Sequence, residues 1–330
     1  MNEAELIRIL SSIILQSAPL IIAVSGEIIT ERAGIVNLSL DGTMLMAAMT
    51  GFVIGLKADE AYPGSGVWIG FLAAAAVGAL FAFIVAFGSI RLRQSQVAIG
   101  FVLTLLGDDL SAFLGQNYTR MPGPLVVRKG IPLLQDIPVL GPIFFDQSIV
   151  VYFAFALVIF LWWFLNRTQP GLKLRSAGER PEAAFARGVD VNRVRYLYTI
   201  AGGALVGIAG ATYSLDVKLG WSDGHIRGFG WIALAIVIFG GWAPIRGMVG
   251  AILFGATKTL ASILQRSFPE VSVVAFNTLP WLLMILVLLV SSSSLTERLI
   301  AIAPGPLRRP LNRFLRVAPP LALGTRFEET

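Results

Sequence analysis

Charged side chains set in apolar sequence are where a solute or a proton would be handled, and Asp41, Asp108, Asp109 and Lys258 are such residues. A lone charge at the middle of a bilayer costs several kcal/mol, so each of these must be paired, face water or act on a solute. Counted at about 1.5 Å per residue, Asp108 lies about 21 Å and Lys258 about 15 Å from the same side of the membrane. Those depths allow Lys258 to pair with Asp108 or Asp109; the other reading is that both acids line a water-filled vestibule. Asn37 and Asp41 open an apolar run. A helix N-terminus favours an anion there, so they are candidates for capping and for the pathway alike. Trp221, Asp223, His225 and Arg227 bunch just before Trp231. Rings beside hydrogen-bonding groups suit a sugar or a nucleobase, and aromatic residues at a membrane boundary also serve as belt anchors.

Covalent chemistry is poorly provided for. With no cysteine and a single histidine, His225, the chain offers no disulfide, thiolate nucleophile, His cluster for a metal or conventional Ser-His triad. No G-x-x-x-x-G-K-[ST] phosphate loop occurs, so any ATP hydrolysis must come from another chain. No cofactor is expected.

The elements that hold these residues follow from composition. Hydrophobic residues are 55% of 330, charged residues 14%, and mean hydropathy is +0.75, values of an all-α, polytopic transmembrane helical bundle. Apolar runs long enough to cross the bilayer fall near 6–25, 37–56, 67–90, 94–115, 148–165, 197–215, 228–243, 248–265 and 277–293. That predicts about nine spans, eight to ten at the limits. The seventh is short and bounded by Gly228, Gly230, Gly240, Gly241 and Pro244, as a broken or re-entrant helix would be. Gly51 and Gly55, Gly66 and Gly70, and Gly203 and Gly207 are spaced four apart, which lets helices approach through small faces. Met1 to Glu5 is acidic, so the first run is expected to stay as a span and not act as a cleaved signal.

Connections divide unevenly by charge. With nine spans, 17 of the 26 Lys and Arg fall on the side of the 166–196 loop and 8 on the other, with Lys258 inside a span. The excess of positive charge marks the cytoplasmic side, which predicts the N-terminus outside and the C-terminus inside. The +6 net charge therefore reports orientation and not affinity for nucleic acid. A transmembrane domain over 1–295 and a basic cytoplasmic tail over 296–330 are expected. The outer loop 116–147 carries Pro122, Pro124, Pro132, Pro138 and Pro142, too many for a regular helix, and should lie solvated over the outer mouth. In the tail, Arg308, Arg309, Arg313 and Arg316 alternate with Leu307, Leu311, Phe314 and Leu315, a pattern that fits an amphipathic helix on anionic headgroups or a disordered segment.

Residues 171–195 are the long polar stretch in the middle of this apolar chain. Pro181 suits the first position of a helix, the residues from Glu182 to Arg187 favour helix, and Gly188 supplies a stop. Asp190 can cap a second helix rising from Val191. A short helix held between two spans, with Ala183, Ala184 and Phe185 on it, suits a groove on a soluble partner.

Three blocks carry a family resemblance. Glu182, Ala183, Ala184 and Gly188, within G-E-x-P-x-A-A-x-x-x-G from Gly178, resemble the coupling loop of permease subunits of ABC importers. Glu31, Arg32, Gly34, Val36, Asn37, Asp41, Gly42 and Met44 resemble the first connecting segment of the simple-sugar and nucleoside group of these permeases. Residues 228–255, with Trp231, Phe239, Trp242, Pro244 and Gly250, resemble that group's late-span segment. The resemblance implies a plasma (inner) membrane subunit that forms the pathway for a simple sugar or nucleoside. It also implies ABC ATPase subunits, a homologous or identical second permease and an extracytoplasmic substrate-binding protein as partners. Glu179, Pro181, Glu182, Ala183, Ala184, Arg187 and Gly188 would couple to the ATPase. Asn37, Asp41, Asp108, Asp109, Lys258 and Trp231 are the candidate pathway residues. A branched-chain amino acid permease and a proton-coupled transporter using Asp108 and Asp109 are the alternatives.

Overall fold

A computed structural model of the chain describes residues 3–291, 302, 304–305 and 318–328. Among them there is no β-strand, and the helices are α1 (Glu3–Arg32), α2 (Leu40–Ala61), α3 (Gly66–Ala86), α4 (Gln96–Gly115), α5 (Ile149–Arg167), α6 (Gln169–Glu179), α7 (Pro181–Ala186), α8 (Val191–Thr212), α9 (Phe229–Gly240), α10 (Pro244–Ser267), α11 (Val273–Asn277) and α12 (Leu279–Ser291). Seven are long and apolar enough to cross a membrane: α1, α2, α3, α4, α5, α8 and α10, with α3, α4 and α8 prolonged by short π or 3-10 turns. The expected seventh and ninth spans fall on α9 and α12, which run only 12 and 13 residues. The basic stretch expected between Leu307 and Arg316 lies outside the described residues.

Glycine decides how close these helices come. α8 sits at the centre, packed on α1, α2 and α3. A methyl group on Gly203 would stand 2.5 Å from the Gly78 carbonyl of α3, and one on Gly202 the same distance from the Gly26 carbonyl of α1. Gly51 and Gly55 of α2 face Gly70 and Gly66 of α3 in the same way. In lipid there is little hydrophobic drive between helices, so close backbone packing of this kind supplies the attraction.

The step from α1 to α2 positions the functional region. After Arg32 the chain leaves helix and runs beside α4: Val36 N–H donates to Gln96 Oε1 at 2.8 Å, Leu38 O accepts from Thr104 Oγ1 at 2.7 Å, and Gly42 packs on Gly107. From Gln96 to Gly107 is about 16 Å at helical rise, so α2 begins part of the way through the bundle. Gly230 of α9 packs against Asp41 at that level, while Gly241 and Trp242, at the other end of α9, lie on Arg32. α9 thus crosses only part of the bundle.

At the Arg32 end lie α6, α7 and the 318–328 segment. Ala322 N–H bonds to Gly178 O at 2.9 Å and Gly324 N–H to Gly34 O at 3.0 Å. The loop 116–147 holds only single turns of helix; most of it is exposed, and it is tied to the bundle at two points. Val126 N–H donates to Leu215 O at 2.9 Å and Arg120 N–H to Trp221 O at 3.0 Å.

Candidate functional site

The carboxylate of Asp41 is buried, and its two oxygens accept the N–H groups of Gly228 at 3.0 Å and Gly230 at 2.9 Å. Free amides at a helix start need acceptors, and their partial positive charge favours an anion. Asp41 therefore caps α9, not the helix it stands in. Ser39 is the N-cap residue of α2, and Asn37 Oδ1 accepts both the N–H (3.1 Å) and the Oγ–H (2.6 Å) of Ser39. Asn37 is 1% exposed, and its Nδ2 has no partner among the described residues. Left-handed glycines bound α9 at both ends, Gly228 with φ 91° and Gly241 with φ 67°. A side chain is disfavoured at such angles, so glycine is the residue that fits.

Other candidates gather at the start of α9. Arg227 makes a two-pronged ion pair with Asp108, Nη2 to Oδ1 at 2.7 Å and Nε to Oδ2 at 2.9 Å. Lys258 was expected to pair with Asp108 or Asp109. It makes no ion pair among the described residues and instead lies 4.6 Å from the centre of the Phe229 ring. The planar guanidinium of Arg227 matches a carboxylate better than an ammonium does, and a ring face is a fair substitute for Lys258. Asp109 is exposed and stands apart from this group; Trp231 is half-buried in the first turn of α9. Tyr213 meets Phe229 edge-on at 4.8 Å.

Trp221 is 2% exposed and its ring packs on Gly115, so it serves neither as a belt anchor nor as an open stacking surface. His225, in the connection before α9, lies 2.7 Å from Ser222 O through Nδ1. A carbonyl can only accept, so Nδ1 carries the proton and Nε2 is left as an acceptor, without a partner among the described residues. Burial, with Lys218 and Lys258 nearby, lowers its pKa from 6.5 to about 4, so the ring is neutral at physiological pH.

The loop between α5 and α8 is more ordered than its composition suggests. α6 precedes the expected short helix; Thr168 Oγ1 caps it by accepting the Gly171 N–H at 3.1 Å. α7 starts at Pro181 and closes through Gly188 with φ 79°, and Asp190 Oδ1 caps α8 by accepting the Arg193 N–H at 2.8 Å. Ala184 turns inward onto Ala177 and Val191, with Phe327 packed against them, while Glu182, Ala183, Phe185 and Arg187 are exposed. Phe185 and Phe327 meet at 5.6 Å. An apolar groove of about 490 Å³ runs past Leu172, Ala183, Val189 and Leu321.

Loop and half-helix are joined by one guanidinium. Arg32 contacts Glu179 Oε1 at 3.5 Å, donates to Trp242 O at 3.1 Å and reaches Gly241 O at 3.5 Å. Glu31 beside it accepts the Trp242 indole N–H. The E-R pair of the first connection thus grips the far end of α9.

Membrane-crossing helices, a half-helix capped inside the bundle and a structured polar loop at one end define a multi-pass membrane permease. Residues 9–288 match the family described as the branched-chain amino acid transport system / permease component, and the chain belongs to that family. It is 38% identical over 260 residues to the putative glucose ABC transporter permease protein TsgC13 of Haloferax volcanii, covering 76% of each chain. It is 35% identical over 261 residues to the nucleoside ABC transporter permease protein NupC of Lactococcus lactis subsp. cremoris, covering 77% of this chain and 82% of the relative. Over 297 residues it is 35% identical to the guanosine ABC transporter permease protein NupQ of Bacillus subtilis, covering 86% and 93%. It is a multi-pass inner-membrane protein and a transport component.

Proposed function

We propose that this chain forms one half of the pathway of an ABC importer for nucleosides or simple sugars, and that separate ATPase subunits seat on α7. The observation that carries the reading is the Arg32 link between the α6–α7 loop and α9, because a permease driven by another chain needs a solid connection from docking surface to pathway. Relatives named for glucose, nucleoside and guanosine transport support the substrate class.

ATP binding would move α7 with its partner. α6 and α7 share a small core with the start of α8, so the loop would move as one body and carry Glu179 with it. Arg32 would pass the shift to Gly241, and the capped end of α9 beside Asp41 and Asp108 would move in turn. A second copy or homologue would complete the pathway, and an extracytoplasmic binding protein would deliver the solute at the end opposite α7. Asp108 is engaged by Arg227 and Asp109 stands apart, an arrangement that does not favour a proton relay.

The test is uptake of labelled guanosine and of labelled glucose into vesicles that hold the full chain with its ATPase, second permease and binding protein. ATP-dependent uptake of either one, untouched by a protonophore, is expected. Uptake that needs no ATPase and collapses with the proton gradient would remove this reading.

A further inference from the structure

Beside α7 a cavity of about 450 Å³ opens between the π-turn at Phe87–Arg91, the first turns of α4 and α8, and residues 325–328. Its lining is one-sided in charge. Arg91, Arg93, Arg195 and Arg326 face a single lining carboxylate, Glu328, and Arg93 already holds that at 3.3 Å. Arg91 and Arg326 make no ion pair among the described residues.

Arg195 is 2% exposed. Its Nε and Nη1 donate to Ala33 O at 3.2 Å and Thr325 O at 3.0 Å, and its Nη2 is buried against Gly34, so this side chain shapes the wall of the cavity and adds its charge there. Gln96 has its Oε1 occupied by Val36 N–H, so it has an N–H donor left to offer. Gln96 and Asn192 stand in the first turns of α4 and α8, whose N-termini are capped by Ser95 and Asp190. Arg93 has Glu328 and Arg195 has two carbonyls with Glu182 nearby, which leaves Arg91 and Arg326 as the guanidinium groups of the lining without an ion pair among the described residues. An anion with several oxygens would supply acceptors to Arg91, Arg326 and the Gln96 amide.

We propose that this cavity binds a phosphate group, and that the headgroup of an anionic phospholipid is the source its position favours. Guanidinium groups pair with phosphate through two parallel hydrogen bonds, and basic pockets between helices at a membrane surface suit anionic headgroups. Tyr196 lines the cavity and meets Phe83, which stacks on Phe87 at 5.8 Å. Phe83 and Phe87 are exposed, giving an apolar strip on which an acyl chain can lie. Because residues 325–328 form one wall, the bound anion would tie that segment down and steady Phe327 against Phe185.

The test uses the purified full chain in detergent, with native mass spectrometry and thermal unfolding after addition of phosphatidylglycerol, phosphatidylcholine or inorganic phosphate. One phosphatidylglycerol retained per chain with a raised melting temperature is expected, and phosphatidylcholine should do neither. Arg91→Gln with Arg326→Gln should weaken that retention about tenfold, as loss of charge-assisted bonds to phosphate implies. If inorganic phosphate protects as well and displaces the lipid, the phosphate site stands with a soluble anion as its occupant. Absence of any shift with either anion in the unsubstituted chain overturns the site, whatever the fate of the variant. So does lipid retention that is unchanged in a variant whose melting in phosphatidylcholine is normal.

Discussion

Arg32, at the end of α1, and Glu179, at the end of α6, stand 3.5 Å apart, and the same guanidinium reaches the carbonyls that close α9. Arg32→Ala leaves the Gly241 and Trp242 carbonyls without this donor and removes the side-chain tie between the loop and α9. A loss of about 1–2 kcal/mol of stability is expected. Transport should suffer more: ATP hydrolysis should persist while uptake falls about tenfold, about 1.4 kcal/mol of lost coupling. Glu179→Ala should be milder, since the carboxylate is 40% exposed and such pairs contribute little. Paired measurements of hydrolysis and uptake in vesicles check both.

Asp41→Asn keeps an acceptor oxygen and removes the charge, so a loss of about 1 kcal/mol is expected, the usual magnitude for a helix cap. Asp41→Leu leaves the buried Gly228 and Gly230 amides unpaired, which costs about 1–3 kcal/mol for each group. Thermal unfolding in detergent should rank the unsubstituted chain above Asn and Asn above Leu, with uptake following the same order.

On α7 the two alanines should respond differently. Ala183 is exposed, so Ala183→Glu should leave the fold intact and weaken ATPase binding; Ala184 is 4% exposed, so Ala184→Glu should unfold the loop itself. At Gly188, with φ 79° and open space around it, Gly188→Ala carries backbone strain of about 1–2 kcal/mol, and Gly188→Trp adds bulk at the proposed docking face. Co-purification of the ATPase should fall with Trp and hold with Ala.

His225 predicts a pH dependence. Its folded-state pKa is depressed to about 4 from 6.5, so its contribution to stability is complete above pH 6.5 and is lost as pH falls toward 4. Melting temperature should decline across that window, and His225→Gln, which cannot take up the proton, should flatten the decline.

The chain has no cysteine, so single-site labelling is clean. Arg187→Cys, on exposed α7, should react with an impermeant thiol reagent only in inside-out membranes, and a cysteine at Glu3 only in right-side-out ones. The reverse pattern would invert the proposed orientation.

Local structure was legible wherever local rules decide it. Pro181, Gly188 and Asp190 mark where α7 starts and closes and where α8 begins, and the glycines around 228–244 foretell a short helix there. Partnerships across long separations were not. Asp41 reads as a cap for its own helix, and only the fold reveals that the amides it meets lie near residue 230. Depth along the membrane normal made Lys258 a fair partner for Asp108, but depth says nothing about position around the bundle, where Arg227 is nearer. No periodicity in residues 318–328 foretold that they would lie along Gly34, Gly178 and Arg195, because they bond mostly through their own backbone groups, which every residue carries.

A rod with a swivel at each end behaves unlike a rod fixed in a wall. α9 is about 18 Å long at helical rise; Asp41 and Arg32 hold its two ends, and a left-handed glycine at each joint can absorb a change of angle without bending the helix between them. A tilt of about 10° at the Gly241 joint would sweep the Gly228 joint through about 3 Å at that length. That is the breadth of one water molecule, enough to part or close a contact on the proposed pathway without requiring any of the long helices to slide.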